Sequence, residues 1–278
     1  TDGNFTLQNN GIVICDAASP GEKGTLDGTT YTKRNVGDIT TSNAATTCTS
    51  GITDMSNLFN GETSFNQDIG SWDVSSVTTM NSMFRLTNDF NQDIGDWDVS
   101  SVTNMRLMFS ATDAFNQDIS GWDVSNVTDM FAMFFRAEAF NEDIGGWDVS
   151  NVTDMSFMFN FAVVFNQDIG SWEVGSVTEM RNMFDGASDF NQDIGDWDVT
   201  GVTDMSFMFE GTASFNQDIG RWDVSNVTDM KEMFGNGSQL STPNYDALLT
   251  GWDQLSLQPN VTFGAGGSQF SSSAEAAR

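Results

Sequence analysis

Eight apolar positions recur along the chain at an interval of 25 residues. In the copy FNQDIGSWDVSSVTTMNSMF, residues 65–84, they are Phe65, Ile69, Trp72, Val74, Val77, Met80, Met83 and Phe84. The tryptophan returns at 97, 122, 147, 172, 197 and 222. A fixed period of this length is the mark of a repeat architecture in which each unit buries its apolar face only against its neighbours. One copy therefore predicts the fold, and function is to be sought where the copies differ.

Each copy divides into two halves. Ile69, Trp72, Val74 and Val77 give the spacing I-x-x-W-x-V-x-x-V, which maps onto the strand pattern of a leucine-rich repeat and predicts a short strand. Val77, Met80, Met83 and Phe84 lie three, six and seven apart, which predicts a two-turn helix. Thr78, repeated at 103, 128, 153, 178, 203 and 228, is placed to cap that helix, with an acid following at Asp129, Asp154, Glu179, Asp204 and Asp229. An ice-binding threonine ladder would need paired threonines on a flat sheet, and here the partner column is mixed. The Asn column from Asn66 to Asn216 is expected to stack as amides that satisfy turn backbone groups. The expected fold is an α/β repeat solenoid: a leucine-rich-repeat-like right-handed coil with one short parallel strand and one short helix per repeat, capped at both ends. Residues 1–50 form the N-terminal cap, 51–234 the seven repeats and 235–278 the C-terminal cap. In that last cap YDALLTGW reads as a helix using Tyr245, Leu248, Leu249 and Trp252, and NVTFG as a short strand. The run to Arg278 reads as the start of a further helix, so the cap is expected to continue beyond it.

Charge narrows the choice of partners. With 39 Asp and Glu against 10 Lys and Arg, the net charge of −29 disfavours nucleic acid and anionic membrane and favours cations or basic surfaces. No stretch has the length of a membrane span, and TDGNFTLQNN lacks the features of a signal peptide. Cys15 and Cys48 are the only cysteines. They read as a disulfide closing the N-terminal cap, or else as two free thiols.

The phrase W-D-V-S-x-V-T-D-M-x-x-M-F, preceded by F-N-x-D-I, resembles the BspA-like leucine-rich-repeat surface proteins, known also from mycoplasma-type lipoproteins. The resemblance runs over about residues 51–234, and the flanks GTLDGTTYTKRN and NVTFGAGGSQFSSSAEAAR share it. It implies a secreted or surface-displayed protein engaged in adhesion or recognition of a protein or glycan, and it brings no catalytic residues.

Two features carry candidate chemistry. Stacked copies would align Asp73, Asp98, Asp123, Asp148, Glu173, Asp198 and Asp223 as a row of carboxylates, and Asp68 to Asp218 as a second. At strand spacing, adjacent charges would repel by about 0.8 kcal/mol in water and about 3 at an effective dielectric of 20. Either local hydrogen bonds to residues such as Ser71 and Ser75 offset this, or calcium does. The second feature is a set of extra phenylalanines, Phe131, Phe135, Phe157 and Phe161, echoed by Phe207 and set where other copies carry Asn81, Ser82, Arg85 or Leu86. They read as an apolar partner patch, or as additional core under the connecting loops. With no His, no cysteine in the repeats and every acid present in equivalent copies, an enzyme is not expected. Two functions remain: a non-enzymatic recognition module at a cell surface, or a calcium-stiffened spacer of a larger surface protein.

Overall fold

The computed structural model of the chain describes residues 1–277. The N-terminal cap holds five short strands. β1 (Thr6–Leu7) and β2 (Val13–Ile14) pair antiparallel; β3 (Lys23–Leu26) and β4 (Thr29–Lys33) form a hairpin, and β4 runs parallel to β5 (Thr47–Cys48). The hairpin turns on Asp27–Gly28, both with positive φ, the combination a two-residue loop between twisted strands favours. A separate small core of Phe5, Val13, Cys15, Ala18, Leu26 and Cys48 fills this cap, and a disulfide joins Cys15 to Cys48. Closing that loop stabilises the cap by about 3–4 kcal/mol in a chain-entropy estimate. Gly24 is required here, since a Cβ on it would lie 2.5 Å from the ring of Phe5.

From 51 to 229 the described chain contains neither helix nor extended strand. The segment expected to be a helix, 77–84, is a succession of tight turns. Its backbone donors alternate between two kinds of partner. Met83, Arg85 and Thr87 donate to carbonyls three residues back, at 3.1–3.2 Å. Met80, Ser82, Phe84 and Leu86 donate at 2.8–3.0 Å to the carbonyls of Asn104, Arg106, Met108 and Ser110 in the next copy. The same set recurs at every junction from Met55–Thr79 to Gly211–Gly235. All these bonds run one way, N–H of one copy to C=O of the next. The alternation requires a left-handed residue at two positions per copy, four residues apart: Ser82 and Leu86 (φ 56° and 60°), Leu107 and Ala111, Ala132 and Arg136, Phe157 and Phe161. A helix has neither the alternation nor the left-handed residues, and it would leave the inter-copy carbonyls unmet.

The expected strand is also displaced. Trp72 and Val77 donate to Ile69 and Val74, so this half is built from turns, and the inter-copy bridges fall instead on the 54, 79, 104, 129, 154, 179, 204, 229 column. The threonine column does not cap a helix. The N–H and Oγ1 of Thr103 both donate to the carbonyl of Thr78 in the preceding copy, at 2.9 and 3.2 Å, and the other members do likewise. An aspartate after it accepts the N–H two residues on, as Asp129 does from Phe131, whereas Glu179 accepts the hydroxyl of Thr203.

Side chains complete the stack. Each repeat tryptophan from Trp97 on donates its indole N–H to a carbonyl of the preceding copy, as Trp147 does to Ile119 at 3.1 Å, Trp72 donates to Ala44 of the cap, and successive indoles lie 6.3–6.5 Å apart. The asparagine column stacks as expected: Oδ1 of Asn91 accepts the N–H of Asn116, and so on to Ser241. The last copy ends in β6 (Met230–Phe234), covered by β7 (Phe263–Ala265) in parallel, and α1 (Thr242–Trp252) packs Tyr245, Leu248, Leu249 and Trp252 against the core. No helix among the described residues is long and apolar enough to cross a membrane.

Trp147→Phe removes the indole donor and leaves the buried Ile119 carbonyl with only the turn bond from the N–H of Trp122. It is expected to lower unfolding free energy by about 1–3 kcal/mol in a urea titration.

Candidate functional site

The acid column is bound up with its own loops. Oδ1 of Asp98, Asp123 and Asp148 accepts both the N–H and the hydroxyl of the serine two residues on, the latter at 2.6 Å, and Asp198 is held the same way by Thr200. Asp223 accepts the N–H of Ser225 at 3.0 Å. Asp73 is similarly bonded to Ser75 and is only 6% exposed, so it does not line the outer face as the sequence suggests. Hydroxyl and then backbone bonds hold Asp123, Asp148, Asp198 and Asp223 below the usual carboxylate range, against the opposing charge of Asp148 on Asp123 and of Asp198 on Asp223. Of the two offsets expected from the sequence, local hydrogen bonding is thus present, with Ser75 and its equivalents as partners. Among the described residues, no group of three or more His, Cys, Asp or Glu side chains is arranged to hold a metal ion.

Glu173 is the exception in this column. Gly175 stands where the other copies have Ser or Thr, so its exposed carboxylate lacks that bond. A shallow depression of about 450 Å³ opens beside it, between Ser150, Ser171 and Asp198.

Of the extra phenylalanines, two are brought together on the face formed by the one-way ladder. Phe131 and Phe157 are in ring contact at 5.4 Å. Phe131, Phe135 and Phe157 are half-buried, while Phe161 is 44% exposed. Phe161 lies over Gly186, where a Cβ would approach its ring to 2.5 Å, and Gly211 follows in the same column. The ring therefore lies against a position that carries no side chain. Phe157 and Phe161 occupy the left-handed positions, with φ of 60° and 56°, and Phe207 does so at 59°. Such backbone costs a bulky residue on the order of 1–2 kcal/mol, and other copies relieve it with Asn182 or Gly186.

Sequence reasoning missed the cations of this face. Arg106 stacks over Phe131 at 3.6 Å, Arg181 over Phe157 at 4.9 Å, Arg136 over Phe161 at 5.8 Å and Lys231 over Phe207 at 5.5 Å. Each such contact contributes about 0.5–2 kcal/mol, depending on desolvation. The signal was available: Arg85, Arg106, Arg136, Arg181 and Lys231 all fall in one six-residue window of the repeat, and Arg221 is the only other Lys or Arg between 51 and 234. Arg106 also pairs with Asp129 and Asp154, at 3.7 and 4.0 Å. Further along the face, burial pushes the carboxyl of Asp185 up, against bonds from Asn182 and Asn160. Burial and the charges of Asp185 and Glu232 push up Glu210.

Two overlapping segments, residues 31–147 and 132–247, match the family described as Mycoplasma protein of unknown function, DUF285. No curated protein and no solved structure matches the chain.

A raised carboxyl favours the fold when protonated, so its contribution improves as pH falls through the raised value and is unfavourable at neutral pH. Asp185→Asn is therefore expected to raise the thermal midpoint at pH 7 and to diminish the gain seen on acidification toward about pH 5. The depressed acids act oppositely: their stabilisation is present at neutral pH and lost below about pH 4, which the same titration reads.

Proposed function

The chain belongs to the DUF285 family of Mycoplasma-type repeat proteins, whose model matches it from residue 31 to 247, and on that premise we propose that it is a non-enzymatic recognition or adhesion module of a cell surface. In this reading the architecture is a right-handed, leucine-rich-repeat-like solenoid of the BspA kind. The aromatic and cationic ladder face is its contact surface for a protein or glycan.

The observation that carries the reading is the placement of Phe157 and Phe161. Large apolar rings at left-handed positions oppose local stability, and one of them is the most exposed phenylalanine of the core repeats. Strain of this sort concentrates at functional positions, where the ring is retained for what it touches. The flanking guanidinium groups of Arg136 and Arg181 add polar direction to an apolar surface, a composition typical of binding hot spots. An extracellular setting is supported by the Cys15–Cys48 disulfide.

A second reading, a structural spacer stiffened by calcium, draws on the mutual repulsion of Asp123 with Asp148 and of Asp198 with Asp223, which a bound cation would relieve. A calcium-specific rise in thermal midpoint, with magnesium at equal ionic strength as control, would favour it. The recognition reading expects equal shifts from the two ions.

The direct test exchanges Phe157→Asn and Phe161→Gly, residues that neighbouring copies carry in the same columns. Stability is expected to hold or rise by about 0.5–1 kcal/mol. Binding of the labelled protein to host cells or to a glycan array should fall at least tenfold, a loss of about 1.4 kcal/mol. Undiminished binding by the double variant would remove this face from consideration.

A further inference from the structure

The triplet Asn-x-Ser/Thr, with x other than proline, occurs six times in the chain, beginning at Asn4, Asn126, Asn151, Asn226, Asn236 and Asn260. An enzyme that recognises it attaches a sugar to the asparagine amide and reads the hydroxyl of the third residue, so transfer to the folded chain needs both groups free. The six differ in that respect.

The three triplets of the repeat body are tied down at both ends. Nδ2 of Asn126, Asn151 and Asn226 donates to a carbonyl of the preceding copy, at 2.8–2.9 Å. The third residues, Thr128, Thr153 and Thr228, each donate both N–H and hydroxyl to the threonine carbonyl one copy back. Between them stands a buried valine, so presenting such a triplet to an enzyme would open the stack. At the N-terminus Asn4 is held by the carboxylate of Glu22, and Thr6 lies in β1, paired with β2. Asn236 donates to Glu210, and its Ser238 is buried with the hydroxyl bonded to the Phe209 carbonyl.

Asn260 is different. It and Thr262 are exposed, in the irregular stretch between α1 and β7, and among the described residues neither side chain has a hydrogen-bond partner. The stretch is fastened to the last repeat through Gln258, whose Nε2 donates to the Ser225 carbonyl at 2.9 Å. Pro259 and Asn260 then form a turn, with Asn260 at φ 64°. Exposed loop tips of this kind yield to an enzyme without disturbing the fold.

We propose that Asn260 is an acceptor site for N-linked glycosylation. Its Nδ2 attacks the anomeric carbon of a sugar activated as a diphosphate ester, which an asparagine glycosyltransferase supplies. A carbon–nitrogen bond forms and the bond from that carbon to the diphosphate oxygen breaks. The amide gives up one proton to the enzyme, and the diphosphate leaves with the electron pair. The site rests on the bonding of the C-terminal cap and not on the ladder face, so its failure leaves the reading of that face untouched.

Peptide mass spectrometry of the protein isolated from the cells that make it is expected to find a glycan on Asn260; an unmodified Asn260 would overturn the assignment. A second arm treats the folded full chain, and separately its tryptic peptides, with a soluble asparagine glucosyltransferase and uridine diphosphate glucose. The folded chain should gain a hexose at Asn260, with transfer at the other five triplets at least about tenfold lower because each must first open locally. Asn260→Gln should abolish transfer to the folded chain, whereas the repeat triplets should become acceptors as free peptides. Comparable transfer to a repeat triplet of the folded chain, no hexose at Asn260, or repeat triplets that stay inert as peptides would contradict selection by the fold.

Discussion

The structure depends on a backbone ladder in which the inter-copy bonds after each threonine, those of Met80, Ser82, Phe84, Leu86 and their equivalents, run from the N–H of one copy to the carbonyl of the next. A copy in isolation can satisfy only half of this segment's donors, through turns to residues three back. The rest have partners only when the following copy is present, so the cost of leaving buried amides unmet couples each unit to its neighbour. This explains why both ends need separate treatment. The last ladder segment, β6, is covered by β7 and backed by α1. At the other end, the disulfide-linked cap supplies Ile39 and Ala44 to the main core and the Ala44 carbonyl to the first indole.

The ladder also shapes the surface that carries the proposed function. Its left-handed residues are among the positions at which copies diverge widely in character, from Ser82 and Asn182 through Gly186 to Phe157 and Phe161. Polar or glycine residues there are the locally comfortable choice. The phenylalanines are not, and they are accompanied by nearly all of the cations in the repeat body of an otherwise strongly acidic chain. The acid column, by contrast, is nearly uniform from copy to copy, and Asp98, Asp123, Asp148 and Asp198 are spent on hydrogen bonds within their own loops.

Much of this was legible in the residues, and the failures are instructive. The buried columns, the asparagine stack and the helix around Leu248 and Leu249 follow from periodicity and residue type alone, whereas the choice between a disulfide and two free thiols at Cys15 and Cys48 is made by the structure. The helix expected over 77–84 does not exist because Val77, Met80, Met83 and Phe84 satisfy a second geometry equally well: successive turns closed by bonds to residues three back also bring apolar side chains to one side at intervals of three and four. What separates the two geometries is the handedness at positions such as 82 and 86, and a column mixing Ser, Leu, Ala, Phe and Asn hides it. Thr78 was misread for a related reason. Its hydroxyl finds a carbonyl in another copy, 25 residues away, which no local capping rule anticipates.

The central claim is that the segment after each Thr column is a ladder with left-handed residues rather than a helix, and Ala111→Gly tests it most directly. Ala111 has φ 54°, and Gly186 and Gly211 hold the same place in later copies. In the ladder, glycine relieves an unfavourable backbone, so equilibrium unfolding should show stability unchanged or increased by about 0.5–1 kcal/mol. In a helix the same change would cost about 1 kcal/mol, and a loss of that size would contradict the ladder.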